Sequence, residues 1–357
     1  MLLAELALYL RPPGQGIYAV SSGKSELDEF MRHYLQHDDQ DWHAHLEKII
    51  TLEGDSARAI LAIPSDAGAG IRRGAARGPQ GIREALQHAP VFDLGDVFSI
   101  PHFIDDDMLS AAQRYASQDA LYAEIPLPER RYLPVSPMSI TLRVLQIIHQ
   151  LNPQLKIHLI GGDHTCAWPM SQFLFANPEN NQDVGIVHFD AHTDLLAERL
   201  GVKYCFATWA YHANELLGRN GRLVQIGVRA SARPQEFWES EYQVKQLWAH
   251  EALKMTPQEL GEWLVNYLQQ KGIRRIYISN DIDGTDSYWA SACGTPEPNG
   301  LTPEHVLAVI ATIKTAEISV LAADLVELAP VLSLDKEASK RSIATAVAYV
   351  KAQLEAF

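Results

Sequence analysis

From about residue 56 onward, short β-branched apolar runs alternate with longer stretches whose apolar residues recur every three or four positions. The runs fall at 57–63, 155–160, 184–189, 222–226, 275–279 and 318–322. The stretches between them include 138–151, 257–269 and 303–314. The last two of these open on Thr-Pro, an N-cap residue followed by proline at the first helical position. Strand and helix in this rhythm predict an α/β fold: a three-layer sandwich with a mostly parallel central sheet and helices on both faces. Two segments stand apart. Residues 1–50 are helical in pattern and precede the alternation, so they are expected to form an N-terminal extension to a single domain at 51–357. Residues 101–135 read as an irregular, acidic excursion or lid.

Composition narrows the function. The 357 residues are 47% hydrophobic and 21% charged, the balance of a globular protein. Lys+Arg number 30 against 44 Asp+Glu, a formal net charge of −14. A surface that acidic repels phosphate backbones and anionic lipid, so neither nucleic acid nor membrane is an expected partner. Cationic small molecules suit it better. Three cysteines, Cys166, Cys205 and Cys293, suggest no disulfide framework and a reducing compartment. The opening MLLAELALYL lacks a basic flank and a cleavage segment, so it reads as a packed helix, and a cytoplasmic location is expected.

In an open parallel sheet, ligands bind beyond the carboxyl ends of the strands. The residues just past each apolar run are therefore informative. Gly161-Gly162-Asp163-His164 succeeds one, Asp190-Ala191-His192-Thr193-Asp194 another, Asn280-Asp281-Ile282-Asp283 a third, and Asp324-Leu325-Val326-Glu327 a fourth. Four predicted strands thus deliver carboxylates and imidazoles to one edge. Like charges that close resist ionisation, and bound cations relieve them. Oxygen-rich donor sets with an imidazole or two suit Mn²⁺ before Zn²⁺. In Asp190-Ala191-His192 and Asp281-Ile282-Asp283 the i, i+2 spacing turns both side chains one way on extended chain. The cluster His37, Asp38, Asp39, Asp41, His43 and His45 reads instead as a solvated helix face or turn. His158 and His188 lie inside strands and read as core or sheet-face residues.

These motifs resemble the ureohydrolase family, which includes arginase, agmatinase and relatives. GGDHT at 161–165, DAHTD at 190–194 and SNDIDGTD at 279–286 carry the likeness, supported by 63–86, DLGDV at 93–97 and ADLVELAP at 323–330. The resemblance covers nearly everything from residue 56 onward. It implies two Mn²⁺ ions, one held by His164, Asp190, Asp194 and Asp281. The other would take Asp190, His192, Asp281 and Asp283, with Asp190 and Asp281 bridging. It also implies that a hydroxide bridging the metals attacks the guanidinium carbon of a small cationic guanidino or amidino substrate, agmatine-like or related, releasing urea. Coordination lowers the pKa of water from roughly 15.7 toward ~7. Asp194 is expected to accept the hydroxide proton and Glu327 to pair with the guanidinium. A homo-oligomer, trimer or hexamer, is implied by the same likeness.

The loop at 195–210 resembles that of agmatinases, and here the pattern breaks. Phe206 stands where the family has a histidine, followed by Ala207 and Thr208 in place of its Gly-Thr. Phenylalanine cannot shuttle a proton, and losing a general acid typically costs ~10²–10⁴ in rate. His212, about 240° further round a helix, is no obvious replacement. Phe206 and Thr208 are therefore expected substrate-site residues of altered chemistry. Three readings stay open: a different substrate, an acid supplied from 101–135, or a metal-binding homologue with little catalysis. A formimidoylglutamase-like hydrolase is the main alternative within the first. Leu196, where arginases carry a polar residue, argues against arginine itself. Trp209, Tyr288 and Trp289 are candidates to narrow the pocket or simply to pack, and Cys293 reads as a small buried side chain.

Overall fold

A computed structural model describes residues 2–18, 24–25, 28–29, 42–54, 57–86, 91–333 and 335–357. Among these residues nine strands form one sheet: β1 Leu10–Arg11, β2 Arg58–Ile63, β3 Phe92–Val97, β4 Lys156–Gly161, β5 Val184–Phe189, β6 Leu223–Ile226, β7 Lys245–Leu247, β8 Arg275–Asn280 and β9 Ser319–Leu325. Their order is β1-β3-β2-β4-β9-β8-β5-β6-β7. Every pairing is parallel except that of β1 with β3.

The two faces are covered by separate apolar layers, as the alternation demands. Along β2, Ala59, Leu61 and Ile63 face one layer, while Ile60 and Ala62 face the other. The first layer is closed by helices Leu2–Tyr9, Trp42–Ile50, Pro137–Leu151, Trp168–Phe175 and Trp209–Leu217. The second is closed by Gly78–Leu86, Pro257–Gln270, Pro303–Thr315 and Lys336–Glu355. β5, buried at all six positions, shows why a central parallel strand reads as an unbroken apolar run. The three-layer sandwich expected from the pattern is the fold.

Thr256 and Glu259 close a capping box at the start of Pro257–Gln270, as its Thr-Pro opening predicts. Thr302 does not cap the next helix by its side chain. Its hydroxyl pairs with His305 Nδ1 at 2.9 Å instead.

Residues 2–11 dock on the first layer. Arg143 grips Glu5 through two 2.7 Å bonds, and β1 adds an antiparallel edge to β3. The excursion at 101–135 differs from its expected irregular form, because it contains helices Ala111–Leu121 and Leu127–Arg130. Ser110 and Gln113 cap the first of these, and Arg130 and Arg131 both bond Asp119. AAQRYASQDAL lacks an apolar stripe because the side chain it buries is the polar Gln118, so periodicity could not announce it. In the histidine-rich N-terminal cluster, His37, Asp38, Asp39 and Asp41 lie outside the described residues. His43 is exposed, and His45 reaches the Asp93 carbonyl at 2.9 Å.

Candidate metal centre

The strand order brings β4, β9, β8 and β5 together at the middle of the sheet. His188 pairs with Ser279 and Phe189 with Asn280 in register, so Asp190 and Asp281 leave adjacent strands side by side. Gly162, at the end of β4, is pressed so closely on the Ser65 backbone that any Cβ would collide with the Ser65 carbonyl. That close approach seats His164 in the same group.

His164 Nδ1 is buried and makes no hydrogen bond. Around it lie Asp281 Oδ2 at 3.1 Å, Asp190 Oδ2 at 3.2 Å and Asp194 Oδ2 at 3.3 Å. A second group forms where His192 Nδ1 stands 3.3 Å from Asp190 Oδ1 and 3.2 Å from Asp283 Oδ2. Donors shared by one divalent ion at about 2.1 Å are spaced roughly 3 Å apart, which is the spacing seen in both groups. The two oxygens of Asp190 serve one group each. The residues therefore fit a pair of ions, with Asp190 reaching both groups.

The charge distribution points the same way. Asp190, Asp194, Asp281, Asp283 and Glu327 are all buried, an arrangement that is expensive without cations. Burial, then the neighbouring Asp283 and Asp190, holds the Asp281 carboxyl well above the usual carboxylate range. Burial opposes a charge on His192, yet Asp283 and Asp190 push its imidazole up to about 12. Protons are being recruited where metal charge would sit.

Supporting residues hold the group in place. His164 Nε2 meets Ser279 Oγ at 3.0 Å, and Ser279 is bonded in turn to Asp324. Trp209 donates its indole N–H to Asp194 Oδ2 at 3.0 Å and stacks on His164 with ring centroids 4.6 Å apart. Thr295 donates its hydroxyl to Asp283 Oδ2 at 2.9 Å.

A longer chain starts at Trp248, whose indole N–H can only donate. It bonds Gln246 Oε1 at 2.9 Å, Gln246 Nε2 bonds Gln225 Oε1 at 2.8 Å, and Gln225 Nε2 reaches His188 Nδ1 at 2.9 Å. His188 Nδ1 must therefore accept, which leaves its Nε2–H to donate to Asp190 Oδ2 at 2.8 Å. His188 is a buried strand residue, as its place in an apolar run implies, and it also fixes the orientation of Asp190. The i, i+2 spacing that links Asp190 to His192 could have found it one step back.

Glu327 accepts the His164 backbone N–H at 2.9 Å on Oε1, and Gly294 lies beside Oε2. Asp194 and Glu327 both adopt left-handed backbone, with φ of 51° and 64°. Non-glycine residues take that conformation rarely, and at functional sites it reflects geometry imposed by the surroundings.

The 195–208 loop carries the remaining expected residues. Phe206 is half-buried, with its N–H on the Gly68 carbonyl at 3.2 Å and its ring end against Gly70. Thr208 is fully buried, and its hydroxyl closes a turn on Cys205. His212 turns away, its Nε2 on the Lys203 carbonyl among Trp168 and Tyr204. Tyr288 is exposed beneath Arg341, and Cys293 is buried with its thiol on the Ala290 carbonyl. The 101–135 excursion meets this loop through Asp107 and Lys203, an exposed pair 3.9 Å apart. No helix among the described residues is long and apolar enough to cross a membrane.

A model of the arginase family matches residues 56–352. Agmatinase from Gallus gallus mitochondria is 36% identical over 180 residues, 48% of this chain and 49% of that protein. The chain thus spans about half the length of that relative. The mitochondrial guanidino acid hydrolase of Homo sapiens is 30% identical over 295 residues, 76% of this chain and 71% of that one. Among solved structures, proclavaminate amidino hydrolase from Streptomyces clavuligerus superposes with a TM-score of 0.60 at 21% identity, covering 84% of this chain and 92% of its own.

Proposed function

The chain belongs to the arginase family, and on that footing we propose that it is a binuclear manganese hydrolase that releases urea from a guanidino compound. His164, Asp190, Asp194 and Asp281 hold one ion, and Asp190, His192, Asp281 and Asp283 the other. The observation that carries this is His164 Nδ1, unbonded in a buried ring of three carboxylate oxygens at 3.1–3.3 Å. A carboxylate-rich set with one imidazole per ion favours Mn²⁺. When bound, the pair supplies the Lewis acidity that makes water nucleophilic near neutral pH.

The chain's own residues do the rest. Glu327, pinned by His164 N–H, pairs with the substrate guanidinium and orients its central carbon toward the metal ligands. Burial holds its carboxyl well above the ordinary range, and an adjacent guanidinium would return it to the carboxylate form. Asp194 accepts the proton of the attacking water on the oxygen that Trp209 does not hold. Asp194 hands that proton to the leaving nitrogen, and collapse of the tetrahedral adduct then breaks the C–N bond and separates urea from the amine. Phe206 lines the approach with a proton-free surface, and buried Thr208 braces the loop behind it.

Urea release by the Mn²⁺-loaded protein from agmatine, 4-guanidinobutyrate, arginine and guanidine tests the proposal. Silence from every member with metal bound defeats it. Phe206 keeps a second reading in view, hydrolysis of a formimino or amidino compound, which would yield formamide or ammonia in place of urea.

A further inference from the structure

Arg199 is exposed, and its guanidinium lies over the Phe206 ring, 5.0 Å from the centroid. It is carried on a two-residue hairpin, in which Arg199 and Val202 exchange backbone bonds of 3.0 and 2.9 Å. Leu200 and Gly201 both have positive φ, 53° and 80°, the pattern of a tight turn matched to strand twist. The arginine is therefore held by its backbone and by its stacking partner together. Phe206 in turn rests on the loop of Gly68 and Gly70. One end of that loop is fixed by Gly68 N–H on Asp163 Oδ2 at 2.9 Å, next to His164. Further along, the Arg72 carbonyl and Glu327 Oε2 flank Gly294. A single wall thus runs from the Phe206 ring to the carboxylate that receives the guanidinium.

Stacking on a ring occupies the face of a guanidinium and leaves its N–H edges free. Those edges match a carboxylate, which they can bind through two parallel bonds. A histidine at position 206 would offer a polar edge in place of this apolar platform. In a chain with a net charge of −14, a cation stacked on the wall that leads to an acidic site selects by sign.

We propose that Arg199, seated on Phe206, binds the anionic end of the substrate, so that the preferred substrates are guanidino carboxylates and not guanidino amines. The inference rests on the guanidino-hydrolase reading above and deepens it. The guanidinium enters toward Glu327, while the far carboxylate stays at the rim with Arg199. A substrate ending in an ammonium group meets repulsion at the same place.

The test compares kcat/KM for 4-guanidinobutyrate and agmatine in Mn²⁺-loaded wild type, Arg199→Ala, Arg199→Lys and Arg199→Glu. The wild type is expected to prefer the acid. Arg199→Ala should lower the acid-to-amine ratio by about tenfold or more, the size of one charge-assisted hydrogen bond, with the loss on the acid residing in KM. Arg199→Lys, which keeps the charge and loses the stacked plane and the two-bond fork, should retain only part of the preference, and Arg199→Glu should invert it. A wild type that hydrolyses agmatine as well as or better than the acid overturns this proposal and leaves the hydrolase reading standing. So does an Arg199→Ala variant whose ratio is unmoved. A wild type inert on both compounds, and on arginine and guanidine as well, with metal bound overturns the two together.

Discussion

Trp209 joins two residues of the metal centre at once, donating its indole N–H to Asp194 Oδ2 at 3.0 Å while its ring lies on His164. The ring does pack, and the hydrogen bond adds a second role. Removing that bond while keeping the ring should loosen the carboxylate. Trp209→Phe is expected to weaken Mn²⁺ binding by roughly 10–100-fold, as other changes behind a metal ligand do. A metal titration of the folded variant checks this.

The bridging geometry separates the ligands into kinds. Asp190 offers one oxygen to each donor group, whereas Asp283 and His192 belong to the second alone. Asp190→Ala should abolish binding of both ions. Asp283→Asn should leave the His164 group able to hold one. Metal content after gel filtration distinguishes these outcomes.

Stability of the metal-free protein should fall as pH rises from about 5 to 8. Asp281 and Glu327 have folded-state pKa values raised well above their unfolded ones, and His192 is raised to about 12. In that window the folded state holds more protons than the unfolded state, so each added pH unit favours unfolding. Manganese reverses the sign, because ligands must lose protons to bind it. Thermal melts of apo and Mn²⁺-loaded protein across this range should therefore diverge with pH. Parallel curves would contradict the account.

How far the sequence discloses this depends on where neighbours come from. β5 and β8 are legible because burial on both faces demands continuous apolar residues, and the ligands sit directly at their ends. β3, with the sequence FDLGDV, escapes the strand pattern, since Asp93 and Asp96 break the run. Their partner is Arg83, fully buried and bonded to both, contributed by the preceding helix. The relay behind Asp190 is hidden for the same reason. His188, Gln225 and Gln246 sit on three strands, and only sheet order makes them neighbours.

Arg83 provides a structural prediction. Arg83→Met would leave two buried carboxylates without their cation, which costs about 3–5 kcal/mol. Urea denaturation should show a lower midpoint whose shift, multiplied by the slope, matches that loss, with the slope itself little changed.

Phe206→His asks whether the natural loop is catalytically complete. If the native enzyme needs no acid there, the variant should change urea release by much less than the ~10²–10⁴ a general acid supplies. Activity created from nothing would mean that the wild type does not turn over that substrate.

The central claim is that distant strand ends converge on two shared ions. Metal content of wild type and Asp190→Ala, both dialysed after Mn²⁺ loading, tests it most directly. Two manganese ions per wild-type chain and none in the variant is the predicted result, and equal metal content in the two proteins would contradict it.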